Sequence, residues 1–300
     1  MSAAVSHNAT PPKLGVIGGS GVYDIPGLAN VRWQKVETPW GDPSDELMFG
    51  ELDGQEIVFL PRHGRGHKLS PTDLNFRANI DALKRVGVTE IVSVSAVGSL
   101  KAELPPGHFV LIDQFIDRTF AREKSFFGTG LVAHVSMAHP VCGRLGDRLE
   151  ESCKALKLPY TRGGIYMVME GPQFSSKAES ELYRSWGCSV IGMTNMPEAK
   201  LAREAELCYA TVAMVTDYDC WHPDHDAVTV DAVIKVLLAN ADNARALVKA
   251  VAPKLTSRTH VCEKGCHNSL EAALITAPQA RDPKMAAKLE CVAGRVLKKV

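Results

Sequence analysis

Seven short runs rich in β-branched residues, interleaved with helical patterns, fill residues 13–253, and this alternation confines the chain to an α/β architecture. The runs cover 13–18, 56–61, 89–96, 109–113, 165–170, 189–192 and 208–217. Between them, 72–86 follows Pro71 and stops at Gly87, with Phe76, Ile80 and Leu83 on one stripe. Leu145, Leu149, Cys153 and Leu156 mark a second helix, Ser176 and Glu179 the capping-box start of a third, and Pro197 the first residue of a fourth that runs to Glu206. The longest helical pattern, 229–253, repeats Val233, Leu237, Ala241, Ala244 and Val248 before Pro253. The expectation is a single α/β domain over 13–253 with a largely parallel or mixed sheet flanked by helices. A polar, disordered tail (1–12) precedes it, and a helical appendage (254–300), with helices at 269–275 and 284–298, packs on it.

Composition narrows the partners. Of 300 residues 45% are apolar, enough for a sizeable core, and 34 basic residues offset 34 acidic ones. A chain with no net charge has no field for nucleic acid or an anionic membrane, so small molecules and copies of itself are the expected partners. The tail lacks the basic start and apolar run of a signal peptide, and no stretch is long enough to span a bilayer. Eight cysteines without framework spacing suit reduced thiols and a cytoplasmic protein. Cys262, Cys266 and His267 raise a metal reading. The C-x-x-x-C spacing is loose, however, and only Cys291 lies nearby as a fourth ligand, so structural or redox thiols are expected there and no metal.

Three segments carry chemistry. The apolar run 208–215 delivers Thr216-Asp217-Tyr218-Asp219-Cys220, and on an extended backbone its two carboxylates share a face at the strand end, where α/β proteins bind small molecules. Gly15-Val16-Ile17-Gly18-Gly19-Ser20-Gly21 is a strand and a glycine-rich turn whose N–H groups, with the Ser20 hydroxyl, suit a phosphate. It lacks the helix context of a dinucleotide fingerprint and the Lys-Ser or Lys-Thr of a nucleotide P-loop. Pro61-Arg62-His63-Gly64-Arg65-Gly66-His67 reads as an oxyanion clamp, an arginine fork with an adjacent histidine donor. Ser95-Ala96-Val97-Gly98-Ser99 and Met193-Thr194 add hydroxyl-bearing strand ends.

Taken in order, these segments, together with Asp113-Gln114-Phe115-Ile116-Asp117-Arg118-Thr119, Glu170-Gly171-Pro172-Gln173-Phe174-Ser175-Ser176 and Gly192-Met193-Thr194, resemble the purine nucleoside phosphorylase family and most closely its methylthioadenosine branch. The resemblance spans roughly 13–253. It implies a single domain whose central mixed β-sheet curls toward a barrel, a homotrimer or dimer of trimers, and phosphorolysis of 5′-methylthioadenosine to adenine and 5-methylthioribose 1-phosphate in purine and methionine salvage. No cofactor is implied, phosphate being a co-substrate. The implied phosphate site is Ser20, Arg62, His63, Ser95, Ala96 and Thr194; Met193 contacts the sugar and Phe174 stacks on the base. Val230, Val233 and Ile234 face the 5′ substituent, and His134 serves a neighbouring subunit.

Physical chemistry agrees with that assignment. A ribosyl centre losing its base becomes cationic, and an anion held beneath it both stabilises the charge and attacks. The departing purine needs a proton at N7, which a carboxyl raised in pKa by burial beside another acid can deliver; Asp217 is the candidate, with Asp219 beside it. Carboxylates accept from a 6-amino group, favouring adenine, whereas an amide at Asn195 near the base would widen tolerance toward 6-oxo purines. The alternatives are a purine nucleoside phosphorylase for inosine, guanosine or methylthioinosine, opposed by the aspartate pair; a nucleoside hydrolase, opposed by the Arg62-His63 clamp; and a non-catalytic nucleoside sensor, opposed by the full set of catalytic groups.

Overall fold

The structure, a computed structural model, describes residues 12–19, 21–22, 24–223, 230–255 and 262–298; within 230–239 it describes the side chains of 231, 234, 236 and 238. Ser20, the tail except Pro12, and the side chains of Val230 and Val233 lie outside the described residues.

Among the described residues eleven strands form one mixed sheet. The apolar runs seen in the sequence become β1 (Leu14–Gly18), β4 (Gln55–Pro61), β5 (Glu90–Ser99), β6 (Phe109–Ile112), β9 (Ile165–Met169), β10 (Val190–Gly192) and β11 (Cys208–Asp217). Four strands had no such run: β2 (Ala29–Gln34), β3 (Leu47–Leu52), β7 (Gln114–Arg118) and β8 (Tyr160–Arg162). β3 and β4 are an antiparallel hairpin whose turn puts Asp53 and Gly54 at φ 50° and 81°, the left-handed pair that a two-residue hairpin loop demands. β2 is an exposed edge.

The branch point is β5. It pairs in parallel with β1 and β11 and in antiparallel with β10. From β10 the sheet continues through β9 to β7, and from β11 to β6. Because β6 and β7 are successive segments separated only by Asp113, the path β5–β10–β9–β7/β6–β11–β5 closes, which is the barrel-like curl of the sheet. Strands buried on both faces need apolar residues throughout, and β11 is buried from Cys208 to Thr216.

Helices cover the sheet. α1 (Phe76–Arg85) starts four residues later than its apolar pattern, because Asn75 caps it by accepting from the Ala78 amide. α2 (Gly143–Leu156), α3 (Lys177–Ser185, with the Ser176–Glu179 capping box formed), α4 (Asn195–Glu204) and α5 (Val230–Val251) follow. In the C-terminal segment the expected helix at 269–275 is a series of turns, and the second is two helices, α6 (Pro283–Lys288) and α7 (Glu290–Leu297). α7 buries Val292, Ala293 and Val296 against the core, and the Lys84 ammonium of α1 donates to the carbonyl of Val292. No helix among the described residues is long and apolar enough to cross a membrane.

Candidate active site

The carboxyl ends of β1, β5 and β11 and the segments after β4, β9 and β10 surround a cavity of about 550 Å³. Its walls include Arg62, His63, Ser95, Ala96, Phe174, Met193, Thr194, Asp217, Asp219 and Ile234, so ten of the residues singled out in the sequence converge although they span more than half the chain. His134 is exposed and is not part of this wall. Gly19 lines the cavity, and a Cβ placed there would meet nothing within 4 Å. The chain's own packing does not require that glycine, whereas close approach of a ligand to its backbone would.

The Arg62 guanidinium departs from the expected fork. It is 2% exposed, and Nε and Nη2 bond the two oxygens of Glu198 at 2.9 and 3.2 Å, Nη2 also reaches Ser93 Oγ at 2.6 Å, and Nη1 donates to the Val94 carbonyl at 3.1 Å. Four of its five N–H groups are thereby used within the protein, leaving one on Nη1 for a ligand. A fully buried carboxylate and guanidinium stabilise each other where either alone would be very costly. Tyr209 OH and Ser93 Oγ complete the acceptor demand of Glu198, at 2.7 and 2.6 Å. Asn195 belongs to the same network, its amide donating to Ser93 Oγ and Tyr209 OH at 2.8 and 2.6 Å. It is fully buried outside the cavity wall, so the amide expected near the base is held beneath the site instead.

His63 also differs from the expected donor. Its Nδ1 lies 2.9 Å from the Leu69 carbonyl, which can only accept, so Nδ1 carries the proton. Burial and the Arg62 charge push its pKa down to about 4, so the ring is neutral at pH 7 and Nε2 presents a lone pair. His67 stacks on it with centroids 4.3 Å apart. Across the cavity Ser95 Oγ lies 2.9 Å from Thr194 Oγ1 and 3.0 Å from Tyr166 OH. Gly192 makes this approach possible, since a Cβ there would fall 2.1 Å from the Tyr166 oxygen.

Asp217 ends β11, and Asp219 lies beyond the strand with φ 52°, so a left-handed turn, not an extended backbone, brings the two carboxyls to one cavity. Thr216 Oγ1 donates to Asp217 Oδ2 at 2.7 Å and the Asp219 N–H to Oδ1 at 2.8 Å. Burial raises the pKa of Asp217 against those two donors. Asp219 is raised by burial first, with the Asp217 charge adding to it and the neighbouring Ser180 hydroxyl opposing; its Oδ2 is buried with no hydrogen bond of good geometry among the described residues. Gly98 permits the pair, because a Cβ would stand 2.9 Å from Asp217 Oδ1 and 3.3 Å from Asp219 Cβ.

The remaining wall is apolar. Phe174 is 44% exposed on the segment between β9 and α3, and Ile234 and Leu238, one turn apart on α5, are 46% and 65% exposed. Leu238 follows from Ile234 by helical periodicity, a signal the sequence held. Glu198 carried no signal of its own, and Gly98 only its place in the Ser95–Ser99 segment, since their roles depend on partners distant in the chain.

Hydroxyls, a neutral histidine and paired buried acids thus meet at the strand ends of a curled mixed sheet. The chain belongs to the phosphorylase superfamily, whose model matches residues 13–253. It is 70% identical over 286 residues, 95% of this chain and 97% of the relative, to S-methyl-5′-thioadenosine phosphorylase of Rhodospirillum rubrum, and 63% identical over 285 residues, 95% and 98%, to that of Cereibacter sphaeroides. Among solved structures, a methylthioadenosine phosphorylase from an antarctic soil metagenomic library superposes with a TM-score of 0.89 at 46% identity, covering 94% of this chain and 99% of that one. The Schistosoma mansoni methylthioadenosine phosphorylase in complex with adenine gives 0.80 at 34% identity, covering 86% and 96%.

Proposed function

We infer that the protein catalyses phosphorolysis of 5′-methylthioadenosine, giving adenine and 5-methylthioribose 1-phosphate. The observation that carries this reading is the 70% identity to an S-methyl-5′-thioadenosine phosphorylase over almost the whole of both chains, with the acids, hydroxyls and apolar wall of the cavity in agreement.

Phosphate sits against Gly19, with donors from Ser95, Thr194, the Ala96 backbone and the remaining Nη1 N–H of Arg62. Neutral His63 accepts, through its Nε2 lone pair, a hydrogen bond from the P–OH of monohydrogen phosphate. The purine stacks on Phe174, Met193 supports the ribose, and Ile234 and Leu238 cover the methylthio group. As the glycosidic bond breaks, phosphate oxygen bonds C1′, the bonding pair leaves with the base, and Asp217 supplies a proton to N7. Asp219 accepts from the 6-amino group. The reaction needs no cofactor, because the anion supplies the nucleophile and a buried carboxyl the acid. The enzyme works as a cytoplasmic homotrimer or dimer of trimers, in which the exposed His134 reaches a neighbour's cavity; mass measurement in solution tests that assembly, and a monomer with full activity contradicts it. For the substrate, kcat/KM for methylthioadenosine at saturating phosphate should exceed those for adenosine, methylthioinosine and inosine; a higher value for either inosine substrate overturns the base assignment.

A further inference from the structure

The cysteines of the C-terminal segment meet partners that their sequence neighbourhood does not reveal. The sulfurs of Cys142, Cys262 and Cys266 lie within 4.8 Å of one another, all buried, and Cys262 and Cys266 approach to 3.3 Å. Cys208 is buried in the same cluster as these three, just outside the 4.8 Å set. Cys291, the fourth ligand suggested by proximity in sequence, stands instead on α7 beside Asp81, Arg85 and Lys84 of α1.

Three features of the surroundings suit bound thiolates. Arg203 Nη1 donates to Cys266 Sγ at 3.3 Å and Arg144 Nη2, which also pairs with Glu90, to Cys208 Sγ at 3.6 Å, so two buried cations face the sulfurs. Cys142 is the N-cap of the 14-residue α2 and makes no side-chain cap bond, which leaves its sulfur at the positive end of the helix. Gly265, at φ 63°, closes a turn through its N–H to the Cys262 carbonyl at 2.9 Å and returns the chain to Cys266. Thiolates around a tetrahedral zinc at about 2.3 Å stand roughly 3.8 Å apart, a spacing that the gathered sulfurs reach with small shifts.

We propose that Cys142, Cys208, Cys262 and Cys266 form a tetrathiolate site for one thiophilic divalent cation, zinc by its chemistry, which ties the C-terminal segment to α2 and β11. Metal entry displaces the thiol protons to solvent, and Arg144 and Arg203 offset the net negative charge of the filled site. Cys208 opens β11 and Asp217 closes it, so the two sites stand at opposite ends of that strand, roughly 30 Å apart. The metal is therefore structural.

The test uses the full chain, purified under reducing conditions after growth with zinc, with metal content measured by plasma mass spectrometry. About one zinc per chain is expected, released by a thiol-blocking mercurial, with little bound to Cys142→Ser or Cys266→Ser and normal content in Cys291→Ser. Arg203→Gln should weaken zinc binding by about 10- to 100-fold. Should a cysteine variant fail to fold, chelator-stripped unaltered protein given cobalt(II) alone decides the matter through the intense visible bands of tetrahedral thiolate coordination. Absence of those bands, a Cys262–Cys266 disulfide in the freshly purified reduced protein, or undiminished metal in the Cys142 and Cys266 variants overturns the proposal.

Discussion

The backbone N–H of Asp219 donates to Oδ1 of Asp217 at 2.8 Å, so the second aspartate fixes the first through the main chain, while its own Oδ2 makes no hydrogen bond of good geometry among the described residues. The two acids therefore play different parts. Asp217→Asn keeps the shape and loses the proton, so kcat on methylthioadenosine should fall roughly 10²- to 10⁴-fold with folding intact. Because burial raises the Asp217 pKa, the acid form is present at low pH and lost as pH rises through that raised value; the decline of kcat with rising pH in the parent should flatten in the variant. Asp219→Asn should lose less and gain relative activity on methylthioinosine, since an amide donates to a 6-oxo group. Near-parental rates and an unchanged substrate ratio in both variants would contradict the assignment.

Gly98→Ala should act on the same pair without touching its chemistry. The added methyl collides with Asp217 Oδ1, and kcat should fall by about tenfold or more while phosphate KM holds. An unaltered kcat would mean that the position of Asp217 does not matter.

The Arg62–Glu198 pair makes Arg62→Ala a structural as well as a functional change. Removing the guanidinium leaves Glu198 charged and buried, so unfolding free energy should drop by about 3–5 kcal/mol. Phosphate KM should rise about ten- to a hundredfold on loss of one charged hydrogen bond. Denaturant unfolding at parental stability would show that the pair contributes nothing.

Much of this was legible in the sequence because it is local. Most strands of the inner sheet, though not β7, announced themselves as apolar runs, and the α3 cap as Ser176 and Glu179. Of the outer hairpin only β4 was found, since β3 is buried on both faces and lacks alternation, although Asp53-Gly54 was the turn signal. The site residues were found mainly through family resemblance, and their partners were not. No spacing tells that Arg62 meets Glu198, 136 residues away, or that Cys142 meets Cys262. Likewise, the Asp217 and Asp219 spacing suggested a shared strand face, but the left-handed backbone at Asp219 does that work.

Stability should depend on Glu204. Burial raises its pKa to about 7, while the Phe126 N–H and Ser125 hydroxyl bond its oxygens. The folded state thus binds this proton more tightly than the unfolded chain, so its contribution falls as pH rises from about 4.5 to about 7 and then levels. Glu204→Gln should remove that fall, making the variant relatively more stable at pH 8 than at pH 5. Parallel Tm profiles of parent and variant across this range would contradict it.

Phosphate dependence tests the central claim most directly. Purified enzyme with methylthioadenosine, assayed across inorganic phosphate concentrations with both products quantified, should release adenine in a phosphate-saturable manner with an equal amount of 5-methylthioribose 1-phosphate. Adenine release at full rate in phosphate-free buffer, with free 5-methylthioribose as the other product, would contradict the account.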